Sequence, residues 1–368
     1  MKNILLISHS SAKAGGGEED FFRLAKFLYS DNNLYMGIPE GPRETELLSF
    51  AKSSVRVSNN IFPFYNFSFK AYLAYFKYGM SDNLKLLRFI KGKKIDVCFI
   101  NSSVSFILIF SLLFKRIPVV LSIKEIIQPS FIRGIVFKLI SLFTCKVIVI
   151  SKFVEQLYLK QGWKKNCLLI YPSIEKDILT CNYLKVGNSE NINIVNIGVI
   201  TKGKGQHVLI KALKNIRNLK FEVKFIGKIT DLEYYNSLLK LKKDQDHSYE
   251  FLGELTKERV FQEMKSSDIV VVTSLSEGFS FAILEALVMK LPIITSNVGI
   301  AQEVIVNGHN GFIYEQNDYK NLEDLLLKFS LNKNIFKTLG LLEDFSIRFN
   351  LDENLKRIQN VLYSCIVK

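Results

Sequence analysis

The sequence is short of metal ligands. Its four histidines (His9, His207, His247, His309) have no metal-like spacing, and its five cysteines form no CxxC pair. Both shortages argue against a zinc site. The cysteines (Cys98, Cys145, Cys167, Cys181, Cys365) are scattered and odd in number, which fits a reducing compartment and argues against a disulfide framework. Long apolar runs are missing too. The opening MKNILLIS has four consecutive apolar residues before Ser8, too few for a signal-peptide core. The longest stretch, SFILIFSLLF (105–114), stops at Lys115-Arg116. A spanning helix needs about 20 apolar residues, so this run reads as a buried helix. The expectation is a cytoplasmic chain, soluble or peripheral on the inner membrane leaflet.

Acidic residues are scarce in one region only. Residues 51–150 hold 15 Lys/Arg and 3 Asp/Glu, a balance of 15 − 3 = +12, out of +14 for the whole chain. Residues 186–368 hold 23 and 22, so a genome-wide lysine bias does not explain the excess. A one-sign field of this size points to an anionic partner, nucleic acid or membrane, or to a solvated face. FPFYNFSFKAYLAYFKYGM (62–80) interleaves nine aromatics with Lys70 and Lys77, and FIRGIVFKLISLFTCK (131–146) spaces Arg133, Lys138 and Lys146 through apolar sequence. That mixture suits an interface carrying anionic headgroups. A packed core with solvated lysines is the plainer alternative.

What is present is alternation. The chain has 368 residues, 48% of them apolar, enough for two domains. Runs at 3–8, 94–101, 117–123, 145–151 and 167–172 read as strands in the first half. Runs at 191–198, 221–227, 249–253, 268–274 and 291–296 do so in the second. Helical stretches such as GEEDFFRLAKFLYS and KERVFQEMKS separate them. The fold class is therefore α/β, with two Rossmann-like, doubly wound parallel-sheet domains facing a central cleft. The domains are expected at 1–181 and 192–345, with a polar linker at 182–191. Residues 346–368 read as a C-terminal helix that can pack back on the first domain.

Ligands of such sheets bind beyond the carboxyl ends of strands. EGFSFAILE (277–285) follows one strand and opens a helix. Glu277 lies on the exit loop and Gly278 relaxes the turn. The amides at Phe279 and Ser280 form a helix N-terminus suited to phosphate. Glu285 lies about a turn and a half into the helix. The bland alternative is Ser280 as an N-cap with Glu285 solvated. The loop GVITKGKG (198–205) offers Lys202 and Lys204 among three glycines, a chemistry that suits a diphosphate. At the exit of the first strand, Gly15, Gly16 and Gly17 allow close backbone approach, but their spacing is not that of a dinucleotide fingerprint. Asp244-Gln245-Asp246 spells a DxD metal motif and is read as a solvated turn.

Together these segments resemble the family 4 glycosyltransferases, which have the GT-B fold. EGFSFAILEAL, LPIITSNVGIAQEVIVNGHNGFIYEQND, GVITKGKG, GGGEE, VIVISKFVEQLY and LIYPSIEKD carry the resemblance, in the family's order. It implies a retaining, metal-independent sugar transfer from a nucleotide-diphosphate-sugar donor to a glycan or lipid-linked acceptor, with no cofactor. By position, Glu277 lies at the donor sugar and Glu285 on the nucleotide ribose. Lys204 with the Phe279 and Ser280 amides holds the diphosphate, and Gly16 and Gly17 close over the phosphates. Two positions depart from the pattern. Val199 replaces a common Arg, for which Lys202 is the substitute. Lys124-Glu125 replaces a common His on the acceptor side, where Lys124 either faces an acidic acceptor or pairs with Glu125. A nucleotide-sugar epimerase of the same fold, a basic nucleic-acid-binding protein and an inactive partner subunit are the alternatives.

Overall fold

The computed structural model describes residues 1–12, 15–58, 69–126, 130–160, 166–174, 191–243, 246–336, 340 and 348–366. The chain divides into two compact units, Met1–Ser173 with Phe349–Lys368, and Ile174–Arg348. Of the expected linker only Asn191 is described. Asp244 and Gln245 of the DxD motif also lie outside the described residues.

Unit 1 is a seven-stranded sheet ordered β3-β2-β1-β4-β5-β6-β7, with every pairing parallel. Its strands are β1 (Lys2–Ile7), β2 (Asn32–Ile38), β3 (Ala51–Arg56), β4 (Val97–Ile100), β5 (Val119–Ile123), β6 (Lys146–Val149) and β7 (Cys167–Leu169). The helices are α1 (Gly16–Tyr29), α2 (Glu44–Leu48), α3 (Phe69–Ile90), α4 (Ile109–Phe114), α5 (Ser130–Phe143) and α6 (Lys152–Leu159). A 3-10 turn, Ser103–Leu108, precedes α4. Order reverses between β1 and β4. Right-handed crossovers therefore place α1 and α2 on one face and α4 to α6 on the other.

Unit 2 is a six-stranded parallel sheet, β10-β9-β8-β11-β12-β13. Its strands are β8 (Ile192–Ile197), β9 (Phe221–Ile226), β10 (Ser248–Gly253), β11 (Ile269–Val272), β12 (Ile293–Ser296) and β13 (Phe312–Tyr314). Between them run α7 (Gln206–Leu213), α8 (Leu232–Leu241), α9 (Lys257–Ser266), α10 (Phe281–Val288), α11 (Ala301–Val304) and α12 (Tyr319–Leu331). Val208, Leu209, Ala212 and Leu213 of α7 pack on Ile194, Phe221 and Val223 of the sheet. Order reverses here between β8 and β11, so their exit loops lie side by side at the sheet's switch point.

The C-terminal helix α13 (Leu351–Ser364) belongs to unit 1. Leu355 and Leu362 join Phe21, Leu24 and Leu28 of α1 in one buried cluster. Tyr363 Oη donates to Asn32 Oδ1 at 2.9 Å. Asn354 Nδ2 donates to the Tyr171 carbonyl at 3.1 Å.

Two expectations are corrected. Cys145 and Cys365 form a disulfide, with Cα atoms 6.2 Å apart and 220 residues between them in sequence. The bond joins the start of β6 to the end of α13, a pairing that the scattered spacing of the cysteines does not announce. The run 105–114 is not wholly buried, because Phe110 is 48% and Phe114 77% exposed. Its first half is a 3-10 turn and its second a single short helix, so its outer residues face away from the sheet. Among the described residues no helix is long and apolar enough to cross a membrane.

Candidate functional site

The switch point of unit 2 brings the two glycine-bearing loops into contact. After β8 the backbone passes through Gly198 at φ 154° and a 3-10 turn, Lys202–Lys204, into Gly205 at φ 65°, the cap of α7. A left-handed φ favours glycine, which has no Cβ to strain there. A second constraint acts at Gly205, where a Cβ would overlap the Thr273 carbonyl oxygen. The loops are stitched together by polar contacts. Thr273 Oγ1 donates to the Lys204 carbonyl at 2.9 Å, and the Leu275 amide donates to the Gly203 carbonyl at 2.8 Å. Asn196, buried in β8, donates through Nδ2 to the Val271 carbonyl at 2.7 Å and to Thr273 Oγ1 at 3.2 Å.

This stitching aims Lys204 at Glu277. Lys204 Nζ stands 2.9 Å from Glu277 Oε1, with side chains 29% and 9% exposed. The Ser274 hydroxyl donates to the same carboxylate oxygen. The Ser274 carbonyl in turn accepts from Ser296 Oγ at 2.7 Å. Glu277 is thus a nearly buried carboxylate held from two sides, and the Lys204 side chain is the more exposed of the pair.

Beyond Glu277 the chain enters α10. Gly278, Phe279 and Ser280 are buried, and Ser280 occupies the N-cap position in extended backbone without a side-chain capping bond. Ser280 is thus the N-cap residue by position, as the plainer alternative has it, but its hydroxyl makes no capping bond. Gly299, at φ 55°, lies so close that a Cβ would come within 3.0 Å of the Phe279 carbonyl carbon. Glu285 is half-buried, four residues after Phe281 in α10. Lys202 is exposed at the start of the 3-10 turn. Val199 is 41% exposed, and its carbonyl accepts from Gln206 Nε2 at 3.1 Å, so the position that resembles an arginine site carries no charge.

Unit 1 gathers a second polar group at its own switch point. Gly15, at φ 124°, precedes α1, which opens at Gly16 and Gly17. The Gly17 carbonyl accepts from Lys124 Nζ at 3.3 Å and from Asn101 Nδ2 at 3.2 Å. Lys124 Nζ is also 3.8 Å from Asp20 Oδ2. Lys124 and Glu125 do not serve each other. Glu125 accepts instead from Ser102 Oγ at 2.6 Å and Ser103 Oγ at 2.8 Å. Asp20 has a side chain 19% exposed, and burial pushes its carboxyl up to about 6 against the pull of Lys124 and Arg23. Arg23, Ser173 and Asn354 line the same small pocket beside α13.

Sequence reasoning overlooked Ser274, Thr273, Asn196 and Asp20. The first three are ordinary strand-end residues whose role appears only once β8 and β11 are neighbours. Among the described residues no cluster of His, Cys, Asp and Glu could hold a metal ion.

Two Rossmann-like units, one with a cation–carboxylate pair at the start of a helix, define a class of two-unit α/β protein with parallel sheets. The comparisons sharpen that class. Residues 185–340 match the family model Glycosyl transferases group 1. An uncharacterized glycosyltransferase of Methanocaldococcus jannaschii is 29% identical, over 59% of this chain and 58% of the relative. The capsular polysaccharide biosynthesis glycosyltransferase CapM of Staphylococcus aureus is also 29% identical, over 53% of this chain and 48% of CapM. The matches thus span about half the length of these curated relatives. The crystal structure of Anabaena Alr3699/HepE in complex with UDP-glucose superposes with a TM-score of 0.77 at 20% identity, covering 99% of this chain and 100% of that one. This likeness places the fold in the GT-B class.

Proposed function

We propose that the chain is a retaining glycosyltransferase, moving a sugar from a nucleotide-diphosphate donor to a glycan or lipid-linked acceptor in cell-surface polysaccharide assembly. The observation that carries this reading is the Lys204–Glu277 pair at the head of α10. Breaking the bond from sugar to diphosphate leaves negative charge on the leaving group and positive charge on the anomeric carbon. Lys204 and the N–H groups at Phe279 and Ser280 supply fixed positive charge for the diphosphate, with Lys202 beside them. The Glu277 carboxylate favours the oxocarbenium-like centre, and Glu285 holds the nucleotide ribose. No metal is needed in this scheme, because ammonium and helix N-terminus supply the charge. Similarity to a capsular polysaccharide enzyme supports the setting. In unit 1, Gly16 and Gly17 are assigned to the donor phosphates. Lys124, held on Gly17 and Asp20, is the acceptor-side cation, with Glu125 as its neighbour.

A thermal-shift screen against nucleoside diphosphates and their sugar conjugates tests the reading. A ligand at 100 times its Kd raises stability by about 2.7 kcal/mol. The reading fails if no nucleotide shifts the melting temperature, or if Lys204→Ala leaves the shift unchanged. Chelator-treated protein should keep its activity. Product analysis then decides the chemistry. Transfer with inversion removes the retaining mechanism, and donor conversion without an acceptor makes the protein an epimerase.

A further inference from the structure

Helix α3 carries its apolar residues on the wrong side for a core helix. Tyr75, Gly79, Asp82, Leu86 and Ile90 face inward. Tyr75 Oη donates to the Val104 carbonyl at 3.0 Å, and a Cβ on Gly79 would lie 2.6 Å from Ile107 Cδ1. Phe69, Leu73, Phe76, Met80 and Leu84 are nonetheless 77%, 54%, 49%, 67% and 55% exposed. At helical periodicity these five fall within an arc of about 80°. Lys77, Lys70 and Arg88, all exposed, occupy the next about 20–40° along one edge.

The neighbouring helices continue the pattern. Asn83 of α3 accepts from the Ser111 amide of α4 at 3.0 Å, and Phe110 of α4 lies 6.2 Å from Phe143 of α5. On α4, Phe110 and Phe114 are exposed. On α5, Phe131, Ile135 and Leu142 are 60%, 57% and 54% exposed, sharing one face with the exposed Lys138. Basic residues outnumber acidic ones by 15 to 3 over residues 51–150, which hold these three helices. All three acidic residues of 51–150 are engaged within the unit: Asp82 by Ser58 and Lys85, Asp96 by the Asn3 amide, and Glu125 by Ser102 and Ser103.

We infer that the α3–α4–α5 face of unit 1 docks on an anionic lipid surface, with Leu73, Phe76 and Met80 entering the acyl boundary and Lys70, Lys77 and Arg88 meeting headgroups. Three features select this occupant. Protein interfaces are depleted in lysine relative to the rest of the surface, whereas the exposed Lys70, Lys77 and Lys138 stand beside this apolar patch. Single-stranded nucleic acid stacks on successive aromatic planes, whereas here Phe69 and Phe76 are interspersed with the aliphatic Leu73, Met80 and Leu84. Aromatic and aliphatic residues on one helical face, with Lys and Arg beside them, are the composition of an interfacial helix. The inference stands on unit 1 alone and does not rest on the transferase reading.

The test is co-sedimentation of the full chain with phosphatidylcholine vesicles, with and without phosphatidylglycerol. Three proteins are compared: wild type, Leu73→Ser with Phe76→Ser, and Lys70→Glu with Lys77→Glu. All four positions are exposed, and melting temperatures confirm that the variants fold. Wild type is expected to partition onto anionic vesicles at low salt and to be released by added salt. The serine pair should lower partitioning about tenfold, and the charge reversals on the order of 20-fold or more. Equal sedimentation with neutral and anionic vesicles overturns the inference, as does undiminished binding by either double variant. A self-association in sedimentation velocity that the serine pair dissolves overturns it too, since the face then belongs to a second copy. Nucleotide binding by the same samples should be unchanged.

Discussion

Gly205 and Thr273 meet where no side chain fits: the left-handed cap of α7 presses its Cα against the carbonyl of the β11 exit. The contact fixes the loop that carries Lys204. Gly205→Ala combines left-handed strain with an overlap against backbone. Its expected cost is roughly 2–3 kcal/mol, read by chemical denaturation. Nucleotide diphosphate affinity should fall with it in calorimetry, because the ammonium moves with its loop.

Lys204 and Glu277 should separate kinetically. Lys204→Ala removes charge from the leaving diphosphate and should weaken nucleotide diphosphate binding about tenfold or more. Glu277→Gln keeps the shape and the Ser274 contact, and should leave that affinity nearly unchanged while kcat falls about 10²- to 10³-fold. The opposite split would exchange the two roles.

Asp20 gives unit 1 a pH signature. Its carboxyl holds a proton in the folded chain up to about pH 6, and the unfolded carboxyl, at its ordinary value of 3.8, has already released it. The native state therefore binds more protons in that window, and stability falls as pH rises from about 4 through 6. Asp20→Asn should remove the slope. The difference in unfolding free energy between variant and wild type should shift in the variant's favour by roughly 2 kcal/mol between pH 4 and pH 7. A difference independent of pH would contradict the assignment.

The Cys145–Cys365 bond closes a loop of 220 residues. A non-reducing digest should yield the two linked peptides by mass spectrometry. Cys365→Ser should destabilise unit 1 by about 2–5 kcal/mol.

The fold was legible where strands are buried on both faces. β8 (Ile192–Ile197) and β11 (Ile269–Val272) announce themselves as β-branched runs. Three strands did not. β3 reads AKSSVR, an edge strand of alternating part-buried and exposed residues with little apolar content. β2 reads NNLYMGI, buried yet interrupted by turn formers, and Asn32 is kept there by its bond to the Leu28 carbonyl at 2.9 Å. β13 has three residues and exists only because β12 offers an edge. The site was half legible. Glycine spacing and charge gave both loops of unit 2, but the serine and threonine that aim Lys204 and Glu277 depend on strand order. Cys145 and Cys365 lie too far apart in sequence for spacing to join them. The exposed stripe of α3 was visible as aromatic content, while its outward orientation required the packing of Tyr75 and Gly79.

Helix α13 follows unit 2 along the chain yet belongs to unit 1. Until Leu355 and Leu362 leave the ribosome, the buried cluster that holds Phe21 and Leu24 of α1 is incomplete. Unit 2, whose strands all precede α13, faces no such wait. Ribosome-stalled intermediates should therefore acquire protease resistance in the second-synthesised unit before the first, reversing the usual amino-to-carboxyl order of maturation.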